Sequence, residues 1–152
     1  VELDFEFVVT PQMTIYGNYA FNHNRLRNIV VDGEALPEVR LPFAPKQKGS
    51  AGATYTVPSP IGSWTLRTDV SYQTDQFVDV NNTPSTLIKG YGLVDAGLAW
   101  LSNEGNLKVE LWGKNLADRL YWVAGSEVPP GDVFVKYGPP RTYGITAEYR
   151  YK

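Results

Sequence analysis

The side chains with chemical potential are few and loosely grouped. His23 is the only histidine in the 152-residue chain. It stands between Asn22 and Asn24, with Arg25 and Arg27 close behind. A lone imidazole completes neither a metal site nor a catalytic triad. Arg25, Arg27 and Arg40 share one segment with His23. Such cations attract an anionic ligand, but nothing in the sequence positions them. Glu2, Asp4 and Glu6 alternate on one face near the start. Carboxylates suit a hard cation such as calcium. Same-face neighbours on a strand lie about 6.6 Å apart, which is loose for one ion without further ligands. A solvated wall facing basic groups fits them better.

Catalytic patterns are missing as well. There is no Gly-x-Ser-x-Gly elbow, and Gly49-Ser50-Ala51-Gly52 lacks the lysine and following helix of a phosphate loop. The count of Cys 0 removes disulfides, zinc–thiolate sites, iron–sulfur clusters and cysteine nucleophiles. The sequence therefore points to no enzyme, no cofactor and no resident metal. Lys+Arg 14 against Asp+Glu 16 gives a formal net charge of -2. That balance argues against nucleic acid, which needs a basic surface.

The elements that must carry these residues are strands. Thr142 to Lys152 alternates Tyr143, Ile145, Ala147, Tyr149 and Tyr151 against Gly144, Thr146, Glu148, Arg150 and Lys152, a period of two. The same pattern runs through Val1–Thr10, Met13–Asn22, Lys46–Val57, Ser63–Phe77, Tyr91–Leu101 and Asn106–Tyr121. No helical period of useful length occurs. The reading is all-β: an antiparallel up-and-down meander of about seven strands. Its connections alternate short and long. Pro11-Gln12, Pro58–Gly62 and Ser102–Gly105 are turns; Asn22–Pro45, Asn81–Gly90 and Trp122–Tyr137 are loops, the last with Pro129-Pro130-Gly131.

That alternation is the habit of outer-membrane barrels, with short periplasmic turns and long external loops. The apolar series Met13–Phe21, Trp64–Tyr72 and Tyr143–Tyr151 each cover about 20 Å of the barrel axis at a tilt of roughly 40°, against an apolar band of about 25 Å. Trp64, Trp100, Tyr149 and Tyr151 fall near one end; Tyr19, Phe21, Tyr72 and Tyr143 fall near the other. Two such girdles suit a wall in lipid. Mean hydropathy is only -0.27, as expected when lumenal residues dilute the lipid-facing ones. A transmembrane barrel wall needs every strand paired. An odd strand count puts Val1 outside and Lys152 in the periplasm, and implies further strands upstream. A small complete outer-membrane barrel or adhesin-like protein, and a soluble carbohydrate-binding β-sandwich, share the same periodicity.

The residues also resemble a known family. Val1-Glu2-Leu3-Asp4-Phe5 resembles a recurrent strand opening, and Leu41-Pro42-Phe43-Ala44-Pro45-Lys46 a segment before a returning strand, of TonB-dependent outer-membrane receptors. Leu111 to Tyr121, with Asn115, Leu116, Asp118, Arg119 and Tyr121, is similar to that family's Asn-Leu-x-Asp-x-x-Tyr signature in the penultimate strand. Gly138-Pro139-Pro140-Arg141-Thr142-Tyr143-Gly144 resembles its entry into the last strand. The resemblance implies that residues 1–152 are the C-terminal part of a barrel of about 22 strands. It further implies TonB-dependent uptake of a scarce nutrient, commonly a ferric siderophore, through the outer membrane of a Gram-negative bacterium. The implied partners are lipid, the barrel-insertion machinery, a plug domain and TonB. The family's N-terminal plug and TonB box have no counterpart here, so this segment alone is not expected to transport. The last strand, Tyr143 to Tyr151, is expected to serve as the assembly signal, although Lys152 follows its final aromatic. Asn115, Asp118 and Arg119 are read as structural, with Asp118 or Glu110 pairing Arg141.

Overall fold

A computed structural model describes residues 1–31, 33–128 and 131–151. Pro129-Pro130 of the expected last loop and the Lys152 terminus lie outside the described residues. The main sheet contains seven strands: β1 (Glu2–Thr10), β2 (Met13–Phe21), β5 (Gln47–Ser59), β6 (Gly62–Gln73), β7 (Tyr91–Ser102), β8 (Leu107–Lys114) and β11 (Thr142–Tyr149). They pair in chain order and antiparallel throughout, a meander without crossovers. The sheet is open: β1 and β11 are its edges. β3 (Val30–Val31) with β4 (Glu34–Ala35), and β9 (Trp122–Val128) with β10 (Asp132–Tyr137), form two small hairpins apart from it.

Register joins the alternating side chains into two continuous faces. Tyr55, Leu66, Leu98, Leu111 and Ile145 make one row across five strands. Every member of that row is exposed. The opposite face carries Tyr16, Gly52, Asp69 and Asp95 in register. Among the described residues the buried apolar side chains are Val39 and Ile88, and both lie in the long connections. The sheet therefore has no protein core on either side. Leaving a large apolar side chain in water forfeits about 1.5–3 kcal/mol each, so a whole face of them calls for a non-aqueous neighbour. No second sheet covers that face among the described residues, which removes the sandwich alternative.

The aromatic girdles slant across the register. Trp64 is opposite Trp100, with ring centroids 6.5 Å apart. Tyr143 lines up with Gly113, Ala96 and Thr68, which falls four residues short of Tyr72. Tyr72 and Tyr143 share one height only if the strands are tilted. Four steps of about 3.3 Å over three strand spacings of about 4.8 Å require a tilt near 40°. Outer-membrane barrels tilt by roughly 35–45°.

Several boundaries differ from the sequence reading. The strand expected to reach Phe77 ends at Gln73. Beyond it Gln76 pairs instead with Ile88 across its own loop. The strand expected to reach Tyr121 ends at Lys114, because Asn115 adopts a positive φ of 50°. The segments expected to be irregular hold the β3–β4 and β9–β10 hairpins and a single 3₁₀ turn at Pro84–Thr86. Short turns gather at one end of the sheet. There Asn103 Nδ2 donates to Pro60 O at 2.8 Å, tying two turns together.

Candidate functional site

The three long connections, residues 22–46, 74–90 and 115–141, emerge at the end opposite the short turns and form one linked layer. Leu26 and Val39 exchange backbone hydrogen bonds of 2.7 and 3.0 Å, and Phe43 N donates to Phe77 O at 2.8 Å. Ser85 Oγ donates to Glu127 Oε2 at 2.7 Å, joining the second connection to the β9–β10 hairpin. Asp79 accepts from Thr83 and Thr86 hydroxyls at 2.9 and 2.6 Å. Burial alone would raise the Asp79 carboxyl; these donors outweigh it and hold the group below its usual range. The layer thus has its own polar and apolar interior, with Ile88 0% exposed.

A cleft of about 380 Å³ opens in this layer, lined by His23, Arg25, Glu38, Arg40, Lys46 and Asp75, among others. Its guanidinium groups are already occupied. Arg25 Nη1 and Arg27 Nε donate to the two oxygens of Glu38. That pair, Arg25 first, holds the Glu38 carboxyl below the ordinary range. Arg40 donates to Asp75 Oδ2 at 2.8 Å and to Asp75 O at 2.6 Å, with its guanidinium 5.3 Å from the Phe77 ring centre. The arginines singled out as anion-attracting therefore brace the loops against one another. His23 is exposed and Lys46 Nζ sits 5.7 Å from the Phe21 ring centre.

The signature residues form a compact knot where β8 ends. Asn115 is 3% exposed. Its Nδ2 donates to Arg119 O at 3.0 Å and to Pro139 O at 3.1 Å. Its Oδ1 accepts from Arg119 N at 2.8 Å, and its own N–H donates to Asp95 Oδ1 at 2.8 Å. One amide thus closes the 115–119 turn and holds it to the strand entry before β11. Asparagine tolerates the left-handed backbone this turn needs. Leu116 N donates to Val94 O, also at 2.8 Å. Asp118, with φ 53°, faces Arg141 at 3.5 Å, while Glu110 pairs with Lys108 at 2.8 Å. Pro140 precedes Arg141 and is exposed. Tyr121 stacks on Tyr91 with centroids 4.3 Å apart. Gly138 makes this possible: a Cβ there would lie 2.1 Å from the Tyr121 ring.

Midway along the polar face, Tyr16 Oη donates to Asp69 Oδ1 at 2.7 Å across an intervening strand. Gly52 leaves that passage open, since a Cβ there would lie 2.6 Å from Tyr16 and 2.7 Å from Asp69. Arg67 Nε donates to Asp69 Oδ2 at 2.7 Å. Glu2, Asp4 and Glu6 line the same face of β1, in register with Ala20, Asn18 and Tyr16. They form no ion pair among the described residues, and no metal-holding group of His, Asp and Glu appears among those residues. In β11, Tyr143, Ile145 and Tyr149 stand exposed on the apolar face together with Ala147. Tyr151 lies just beyond the strand, whose pairing is prolonged by Arg150 N donating to Asn106 O at 2.8 Å.

Sequence reasoning missed one grouping. Lys89 and Tyr91 enter β7, while Arg119, Tyr121 and Trp122 follow β8, and together they line a cleft of about 260 Å³. The signal was present: β7 and β8 are joined by a short turn, so their far ends must be neighbours.

Comparison with known proteins gives a consistent result. The family described as "TonB dependent receptor-like, beta-barrel" matches residues 1–116. The ferric yersiniabactin uptake receptor of Yersinia pestis superposes with a TM-score of 0.79 at 18% identity, covering 99% of this chain and 23% of that one. The ferric preacinetobactin receptor of Acinetobacter baumannii gives 0.74 at 20% identity, with 97% and 21% covered. A siderophore receptor from the same organism gives 0.71 at 21% identity, with 96% and 20% covered. The chain thus spans less than a quarter of the length of these structures.

Proposed function

The chain belongs to the TonB-dependent receptor-like β-barrel family, and on that premise we propose that it supplies part of the wall and outer rim of an outer-membrane uptake receptor. The observation that carries the reading is the sheet's continuous apolar face, which no other element covers among the described residues and whose girdles slant at the angle a tilted barrel requires. The cargo is a ferric siderophore, in line with what the three superposed receptors are named for. The complete receptor adds the remaining strands and a plug domain, has TonB as its partner, and sits in the outer membrane of a Gram-negative cell. The polar face of β1, with Glu2, Asp4 and Glu6, lines the lumen. The aromatic face of β11 is the part read by the barrel-insertion machinery. Asn115, Leu116, Asp118, Arg119, Tyr121, Pro140 and Arg141 brace the rim. His23 remains a candidate ligand contact; Arg25, Arg27 and Arg40 serve chiefly to fix the loops.

Topology and uptake test the reading separately. This segment has Cys 0, so single cysteines placed in it can be labelled in intact cells once any cysteine elsewhere in the full-length receptor is replaced. A membrane-impermeant maleimide should reach Ser85→Cys from outside and Asn103→Cys only after the outer membrane is opened. Val70→Cys should stay unlabelled in both. Labelling of Val70→Cys in intact cells would remove the lipid assignment. Uptake of iron-55 presented with a siderophore panel should vanish when TonB is absent; uptake that ignores TonB would remove the transport assignment.

A further inference from the structure

We propose that the cleft above the outer ends of β2, β5 and β6 holds a phosphate group of an outer-leaflet glycolipid. The proposal rests on the reading of the apolar face as lipid-facing. β2 ends at Phe21, β5 begins at Gln47 and β6 ends at Gln73. Asn22, Lys46 and Thr74, the next residue of each, all line the cleft of about 380 Å³. Its floor therefore lies one residue beyond three adjacent strands, at the level where a bilayer changes from acyl chains to headgroups. Tyr19 and Tyr72 flank Gly49 in one register row just below, and both are exposed. Phe21 closes the lipid-facing series of β2, and the Lys46 ammonium lies 5.7 Å from its ring centre. The charge is thus held at the lipid-facing margin of the cleft.

Charge and donors converge there. Arg25 and Arg40 are engaged by Glu38 and Asp75, so those four charges balance. Lys46 has no acidic partner among the described residues and leaves the lining net positive. Asn22 makes no side-chain hydrogen bond among the described residues, and Asn24 uses only Oδ1, which accepts from Leu41 N at 2.9 Å. Both amide nitrogens are left to donate. The floor itself is fixed: Asn22 N donates to Lys46 O and Thr74 N to Gln47 O, each at 2.9 Å. The segment leading into Lys46 also exposes Leu41 and Phe43. Phe43 adopts a φ of 53°, a costly conformation for a bulky side chain, and its N–H is held by Phe77 O. An exposed ring kept under that strain suits a neighbour other than water. An ammonium and amide donors at the edge of an apolar surface match a phosphate carried on acyl chains. A free anion would use the donors and gain nothing from Tyr19, Phe21 and Tyr72.

The test uses purified full-length receptor in an uncharged detergent, with any other cysteine replaced. An environment-sensitive fluorophore on Leu41→Cys, beside the cleft, reads occupancy there rather than at other lipid contacts. The probes are lipid A bearing both phosphates, the same lipid stripped of them by phosphatase, and inorganic phosphate. The expected result is saturable binding of the phosphorylated lipid, with the stripped lipid about fivefold weaker. Lys46→Gln should bring the phosphorylated lipid down to the level of the stripped one. Lys46→Arg should restore most of the difference, which separates lost charge from misfolding. Lys136→Gln, on β10, is the neutral control. Equal affinity for the two lipids, or wild-type affinity in the Lys46→Gln receptor, would overturn the assignment. So would displacement of the lipid by inorganic phosphate at the same concentration, which would make the cleft a free-anion site. If Val70→Cys stays unlabelled in intact cells and any of these results is found, this site alone is wrong; if Val70→Cys is labelled, the lipid reading falls first.

Discussion

Replacing Asn115 by alanine tests whether a single buried amide holds the rim together. The substitution removes the donor to Arg119 O, the donor to Pro139 O and the acceptor of Arg119 N. Each such bond contributes about 1 kcal/mol net, and the groups left behind are partly buried. Asn115 also sits at φ 50°, where alanine is disfavoured by a further ~1 kcal/mol. The sum is about 4 kcal/mol against local closure of the 115–119 turn. Every 1.4 kcal/mol is about tenfold in an opening equilibrium, so amide exchange of the Arg119 N–H should quicken by on the order of several hundredfold. Hydrogen exchange with mass spectrometry on the full-length receptor reads this directly. Peptides from the middle of β6 and β7 should not change. Asn115→Gly separates the contributions: it relieves the backbone cost and keeps the lost bonds, so it should fall about fivefold short of the alanine effect. Asn115→Asp retains one acceptor but faces two carbonyls with a carboxylate, and should match or exceed alanine. Unchanged exchange at Arg119 in the alanine variant would refute the claim that the amide closes the turn.

Further outcomes follow from the same geometry. Gly52→Ala places a methyl 2.6 Å from Tyr16 and 2.7 Å from Asp69, so it should break their hydrogen bond. The expected loss is about 1–3 kcal/mol, read as a lower temperature for losing the folded band on SDS gels. Gly97→Ala, whose nearest neighbour is Glu110 Oε1 at 3.3 Å, should shift it less. Glu38 has a carboxyl held below its ordinary value of 4.5 by Arg25 and Arg27. Such a group stabilises fully above the unfolded value and loses that contribution as pH falls through the lowered one. Protection of the amides around Leu26 and Val39, taken relative to their intrinsic exchange rate at each pH, should therefore stay constant down to about pH 5 and fall below it, and Glu38→Gln should remove that fall. Leu98→Arg, on the apolar face, should cost about 2–4 kcal/mol near mid-membrane and reduce the amount inserted. Ala99→Arg, one residue on and facing the lumen, should insert normally.

The wall was legible in the sequence because one face of each strand had to be apolar and the other polar. Trp64–Tyr72, broken only by Thr68, and Tyr143–Tyr151 show that alternation. The outer layer was not, for three physical reasons. Its hairpins, such as Trp122–Val128 with Asp132–Tyr137, are held by backbone pairing in water, which demands no alternating side chains. Its arginines announce charge but not their partners: Arg40 reaches Asp75 over 35 residues and Arg25 reaches Glu38 over 13. Asn115 was visible as part of a motif, yet its positive φ, where β8 ends, leaves no pattern in composition or period. The cleft at Lys89 and Arg119 exists only through the β7–β8 hairpin, and was recoverable only by carrying register to the strand ends.

The separation between a sheet without a core and a loop layer with Val39 and Ile88 inside it has a thermodynamic consequence. The two parts are stable in different solvents. Water drives the loop layer together, so urea, which solvates apolar and peptide groups, loosens it. The sheet gains nothing from water and is stabilised where its apolar face meets hydrocarbon, beyond the reach of urea. Stability in such a molecule is not one number but two, belonging to separate cooperative units. The rim can therefore melt and re-form while the strands beneath it stay paired.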